Sequence, residues 1–159
     1  MALPAAHAQQ RLDASVSIQV SANVVDPAEE AEIEVVTARG MDLRGASQEA
    51  NIITVDPTLS FRAGKLVASG EPGASFRISY LPTRELSNVE GTGFLFFEYD
   101  VSGNNVDEQD TSELFEAETP PLQFNQDGDF YIWVGGRIDL ANAAPGTYEG
   151  EFTLEIEYI

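Results

Sequence analysis

Apolar and polar residues alternate without a break from Ala14 to Val24. Ala14, Val16, Ile18, Val20, Ala22 and Val24 fall on one side, and Ser15, Ser17, Gln19, Ser21 and Asn23 on the other. A period of two belongs to a strand with one face on a core and one in water. The same period returns in Phe76-Arg-Ile78-Ser-Tyr80 and in a long closing strand, Thr147 to Ile159. In the closing strand Phe152, Leu154, Ile156 and Tyr158 share a face, opposed by Glu151, Thr153, Glu155 and Glu157. Shorter apolar runs predict strands at Ile33 to Thr37, Asn51 to Val55, Leu59 to Phe61, Phe130 to Val134 and Gly135 to Leu140. Gly93 to Tyr99 is almost continuously apolar, which predicts a strand covered on both faces. No long stretch has the 3.6-residue period of a helix.

Turn signals separate these runs: Asp26-Pro27, Asp56-Pro57, Glu71-Pro72-Gly73, Ser102-Gly103-Asn104-Asn105, Asp127-Gly128 and Ala144-Pro145-Gly146. Many short strands with Gly, Pro and Asn between them predict an all-β sandwich of immunoglobulin-like type. Neither a repeat nor a linker interrupts the chain, so one domain is expected. The acidic, polar stretch from Ser102 to Glu118 reads as a long surface loop.

Composition narrows the list of partners. The 159 residues include 27 acids against 8 bases, a formal charge of −19. Such a field repels phosphate backbones and anionic lipid heads, so neither nucleic acid nor a membrane surface is an expected partner. Lys65 is the only lysine, and an acidic, lysine-poor surface suits strong brine, where salt screens its self-repulsion. A hydrophobic fraction of 43% is enough to fill one core. No stretch reaches the roughly 20 apolar residues of a membrane span.

The chemistry of catalysis is mostly missing. The chain lacks cysteine, and its single histidine, His7, lies in an Ala-rich start whose Ala6-His7-Ala8 has the small-x-small form of a signal-peptidase site. Residues 1–8 therefore read as the remnant of an export signal, which predicts a secreted protein. Without a usable His or Cys, a Ser-His-Asp or Cys-His arrangement is ruled out, and no enzyme is expected. Asn125-Gln-Asp127-Gly-Asp129 and Asn104-Asn-Val-Asp107-Glu108-Gln-Asp110 are rich in side-chain oxygen, as calcium loops are. The first lacks the glutamate an EF-hand places at its end, no helices flank it, and a solvated hairpin turn explains Asp127-Gly128 equally well, so calcium is left as a weak alternative. No cofactor and no metal ligand is assigned. Trp133 lies in an apolar strand and reads as core.

The two ends carry a resemblance. Tyr158 is penultimate, Gly146 stands fourteenth from the end, and Ala14, Val16, Ile18, Val20 and Ala22 form an N-terminal row of alternating hydrophobics. These features resemble chaperone–usher pilins, whose subunit is an immunoglobulin-like sandwich short of one strand. That resemblance implies that a neighbour's extension fills the gap, and that a periplasmic chaperone and usher are further partners. The disulfide common in those pilins is absent here. A second resemblance covers roughly Ala14 to Ile159. Val20-Ser-Ala-Asn-Val-Val, Ile53-Thr-Val-Asp-Pro57, Ala68-Ser-Gly-Glu-Pro-Gly-Ala74 and Val134-Gly-Gly-Arg-Ile138 lead into Ala144-Pro-Gly-Thr-Tyr through to Tyr158. Together they are similar to the bacterial domain-of-unknown-function family numbered 4402, which implies an exported β-domain.

On this reading residues 9–22 form a donor-strand-like extension and residues 23–159 the sandwich. Two functions remain open. One is a structural subunit of an extracellular bacterial fibre, polymerising by donation of the N-terminal strand to another copy. The other is a stand-alone secreted or cell-surface binding module, an adhesin or matrix domain, in which Ala14 to Val24 is simply the domain's own first strand.

Overall fold

A computed structural model describes residues 14–24, 33–43, 47–49 and 51–159. The expected export-signal remnant, 1–8, and the start of the expected extension, 9–13, lie outside the described residues. Among those described, the chain is all-β, with twelve strands and one short 3-10 turn at Gln109–Thr111.

The strands are β1 (Ala14–Val24), β2 (Glu34–Arg39), β3 (Ser47–Glu49), β4 (Ile52–Val55), β5 (Gly64–Ser69) and β6 (Ser75–Ser79). They continue with β7 (Thr83–Asn88), β8 (Phe94–Asn104), β9 (Glu113–Phe115), β10 (Leu122–Gln123), β11 (Asp129–Asp139) and β12 (Gly146–Tyr158). Hydrogen bonding connects them into one continuous sheet, which folds over on itself in a sandwich-like way. One layer is built on β12, with β1 along one edge and β6, then β10, along the other. The second is built on β11, with β8 on one edge and β5 and β4 in succession on the other. The segment β6–β7 joins the layers. Its chain breaks stride at Pro82, so that β6 pairs with the end of β12 while β7 pairs chiefly with β8.

Aromatic side chains close the space between the layers. The Tyr99 ring of β8 stacks on Phe152 of β12 at 4.1 Å, and Phe76 of β6 meets Phe130 of β11 edge-on at 5.0 Å. Leu66, Ile78, Leu86, Phe97, Ile132, Leu154 and Ile156 fill the rest and have no exposed surface beyond 1%. Trp133 is part of this buried set, as expected from its strand.

Some expectations change. Leu59 to Phe61 is a turn: the Asp56 carboxylate accepts from the Thr58 amide and hydroxyl, and Leu59 and Phe61 are left in solvent. The run Gly93 to Tyr99 is covered on one face only. Phe94 and Phe96 point outward, more than half exposed, and rest edge-on against each other at 5.4 Å. The two strands expected between Phe130 and Leu140 are a single one, β11. Gly135 and Gly136 let it pass where the Val55 and Glu98 carbonyl oxygens crowd its backbone, and Gly136 has φ +145. Ser102 to Glu118 is no free loop. Its start continues β8, with Ser102 buried, and its end returns as β9 paired to Val101–Gly103. The intervening tip is tied down by Gln109, whose amide donates to the Pro57 and Ser60 carbonyls.

Candidate functional site

The strand read as a donor lies in its own chain's sheet. β1 runs parallel to β12 along its whole length, from Ala14 opposite Gly146 to Val24 opposite Ile156. The alternation decides which face turns inward. Ile18 and Val20 are buried, and Ala14, Val16 and Ala22 pack half-buried against the same core. The strand also runs without interruption across positions 22 and 23, where the extension was expected to end. The structure thus brings together the two predicted residue sets: Val16 faces Tyr148, Val20 faces Phe152 and Ala22 faces Leu154.

Outward, an uncharged row meets an acidic one. Ser17, Gln19 and Asn23 stand opposite Glu149, Glu151 and Glu155, while Ser15 and Ser21 hydrogen-bond Thr147 and Thr153 hydroxyl to hydroxyl at 3.2 Å. Since β1 contains no charged residue, it adds nothing to the repulsion within the glutamate row. Across its other flank, the Thr37 hydroxyl of β2 donates to the Val20 carbonyl at 3.1 Å. Among the described residues β1 has a strand ladder only with β12.

Each end of β12 is anchored by a residue whose need is geometric. Gly146 has φ +134, and a Cβ there would run into the Asn88 amide. The Asn88 side chain is buried, donating to the Pro145 carbonyl and accepting from the Glu90 amide. Sequence reasoning marked Gly146 but missed Asn88, because a lone asparagine at the end of β7 gives no pattern to read. At the far end, the Tyr158 hydroxyl accepts from the Glu71 amide at 2.9 Å. A Cβ on Gly70 would collide with Tyr158 and Phe124. The Gly70-Glu-Pro-Gly-Ala74 turn is therefore the socket of the closing strand's last aromatic.

The oxygen-rich segments are occupied with turns. The Asn125 side-chain oxygen accepts from the amides of Asp127 and Asp129, and the Ser69 hydroxyl donates to Asp129. The Asn104 amide donates to the Glu108 carbonyl and the Thr111 hydroxyl. Among the described residues, no group of three or more His, Asp or Glu is arranged to hold a metal, and no helix is long and apolar enough to cross a membrane. A depression of about 620 Å³ opens where β6 gives way to β7, lined by Tyr80, Leu81, Pro82, Arg84, Glu118 and Glu155. Beneath the aromatic layer the Tyr99 hydroxyl is buried and has no hydrogen-bond partner among the described residues. Burial pushes its phenol well above the ordinary 10.0, and the nearby Arg84 charge offsets this only in part.

The segments that pack together here also carry the comparison with known proteins. A family model described as a domain of unknown function (DUF4402) matches residues 19–158. The chain belongs to that family. No curated protein matches it. The DUF4402 match runs from the middle of β1 to the last residue of β12. It therefore includes both the Gly70–Ala74 turn and the closing strand, the two segments joined through Tyr158.

Proposed function

We propose that this DUF4402 chain is a structural subunit of an extracellular bacterial fibre whose copies are joined by exchange of β1. One observation carries the reading: β1 is an uncharged edge strand, laddered to β12 alone among the described residues, that seats Ile18 and Val20 in the core. The groove it occupies is self-contained, made by the β12 edge and the apolar floor beneath. A β1 from another copy carries the same residues and meets the same floor, the strand-addition mode of recognition.

Charge favours that partner. Two chains of −19 repel each other over most of their surface, and β1 is a segment through which they meet without adding charge. Burial of Ile18 and Val20 contributes about 1.5–3 kcal/mol each at most. Ladder hydrogen bonds add about 1 kcal/mol apiece. Residues 25–33 join β1 to β2, and nine residues span at most about 32 Å when extended. A head-to-tail contact of this kind propagates rather than closes. A chaperone and usher are the partners the pilin resemblance would add.

The test is the sedimentation of concentrated protein, with electron micrographs of the same samples. The full chain is expected to form filaments, and a chain lacking residues 9–22 to form none while still binding a synthetic 14–24 peptide. A full chain that stays monomeric throughout, or a deleted one that still assembles, overturns the proposal and leaves a stand-alone binding module.

A further inference from the structure

The sheet splits where β6 gives way to β7. On that edge β12 ladders with β7 at Tyr148 and Glu149 and with β6 from Glu155 to Tyr158. In between, residues 150–154 have no ladder partner on that side among the described residues. The cause is local. Pro82 has no N–H to give a ladder, and its carbonyl accepts from the Tyr99 amide at 2.7 Å, which draws the chain toward β8. The depression of about 620 Å³ opens at this split.

Its lining divides by chemistry. Glu155 of β12 and Glu118 flank Ser79 of β6, so that carboxylate, hydroxyl and carboxylate stand in register across the sheet. At the spacing of strands the two acids are about 10 Å apart at the backbone. Tyr80 and Leu81 supply an apolar wall. The Tyr80 hydroxyl donates to the Phe115 carbonyl at 2.9 Å, which holds the ring in place, and Leu81 is 64% exposed. Arg84 completes the lining from the core-facing row of β7, which it shares with the buried Leu86 and Asn88.

Arg84 differs from the other described bases. Arg62, Lys65 and Arg137 each pair with an acid, Arg39 donates to the Ala63 carbonyl, and Arg77 stands opposite Glu157. Arg84 is half-buried and, among the described residues, makes no hydrogen bond and no ion pair. A guanidinium has five N–H donors, and leaving them unmet while partly shielded from water is costly. In a chain with 27 acids against 8 bases, an uncommitted arginine beside a depression is a donor set open to a ligand.

Charge selects the class of ligand. An anion meets Glu118, Glu155 and the field of the whole chain, and a cation meets Arg84. A zwitterion matches Arg84 and one acid and leaves the second acid without a donor. A sugar hydroxyl both donates and accepts, so a neutral saccharide serves all three groups while its C–H face lies on an apolar wall. We propose that the split between β6 and β7 binds a neutral oligosaccharide. Arg84 donates to its hydroxyl oxygens, Glu118 and Glu155 accept from its hydroxyls, and Leu81 and the Tyr80 ring cover its apolar face. None of these groups comes from β1, so this site and strand exchange stand or fall separately.

The test is a titration of the isotope-labelled full chain, followed by amide chemical shifts. The neutral probes are maltotriose, mannotriose and triacetylchitotriose. The charged ones are chitotriose, trigalacturonate and the zwitterion triglycine. At least one neutral probe is expected to give saturable shifts at Ser79, Leu81, Glu118 and Glu155, and the charged probes to give none there. Arg84→Ala is expected to weaken that binding at least about tenfold, and Arg137→Ala to leave it unchanged. Glu118→Gln, on the exposed rim, is expected to weaken it about threefold and carries the test if the Arg84 variant does not fold. The proposal is overturned if no neutral probe shifts these amides, or if a charged probe binds there as tightly. Unchanged affinity in the folded Arg84 variant, or in Glu118→Gln where that one stands in, overturns it as well.

Discussion

The molecule has two long strand pairs, and they are held by different means. β8 and β11 run antiparallel through the middle of the structure, and β11 is flanked on its other edge by β5 and β4. From Ile132 to Gly136 every residue of β11 is buried, so both faces are covered. β1 and β12 run parallel at an edge, and β1 buries only Ile18 and Val20. The first pair is fixed by contacts on every side. The second depends on one alternating row of aliphatic side chains and one ladder. The difference teaches that membership of a sheet and membership of a core are separate properties, and that β1 has more of the first than of the second.

Removing bulk from each pair gives the sharpest contrast. Trp133→Ala is expected to cost about 3–5 kcal/mol and to lower the denaturation midpoint of the whole domain. Ile18→Ala is expected to speed amide exchange in β1 while leaving the amides of β11 as protected as before, because an edge strand opens locally. Equal loss of protection in both strands would show that β1 unfolds only with the rest. Gly146→Ala comes next. It places a side chain at φ +134 and against the Asn88 amide, at an expected cost of about 1–3 kcal/mol by chemical denaturation.

Tyr99→Phe tests the layer between the pairs and goes the other way. It removes a buried hydroxyl without a partner, so denaturation is expected to show a gain of about 1 kcal/mol. The same change alters alkaline behaviour. The fold holds the neutral phenol, so its stabilisation is complete below the ordinary value of 10.0 and is lost as pH climbs beyond it toward the raised folded value. A denaturation series above that pH is expected to fall less steeply for the phenylalanine variant. The smallest effect is that of salt: added sodium chloride is expected to raise the melting temperature modestly by screening the −19 charge. A fall would show that surface ion pairs, such as Arg137 with Glu98, outweigh the general repulsion.

What could be read in the sequence was whatever a period of two declares. β1 was delimited residue for residue, and β12 to within one, since their inward and outward rows differ in every position that matters. β5 was missed because its buried row is Gly64, Leu66 and Ala68, too small to stand out against the outward Val67. β7 was missed for a similar reason, with Leu86 the only apolar residue in Thr83–Asn88. The exposed Phe94 and Phe96 misled in the opposite sense, since hydrophobicity marks a residue's preference and not whether a neighbouring layer exists to meet it. At the candidate site both residue rows were legible. Their mutual partnership and its parallel direction were not, because register across 132 residues is set by the folded topology.

The solitary tryptophan has a practical consequence. Trp133 is 2% exposed and sits on β11, with the Tyr131 ring 6.5 Å from its own and the Lys65 ammonium 5.8 Å from it. Its emission colour is therefore a gauge of the cover that Tyr131 and Lys65 give this face of β11. A dye-free fluorometer following a sample through denaturation would read the loss of that cover directly.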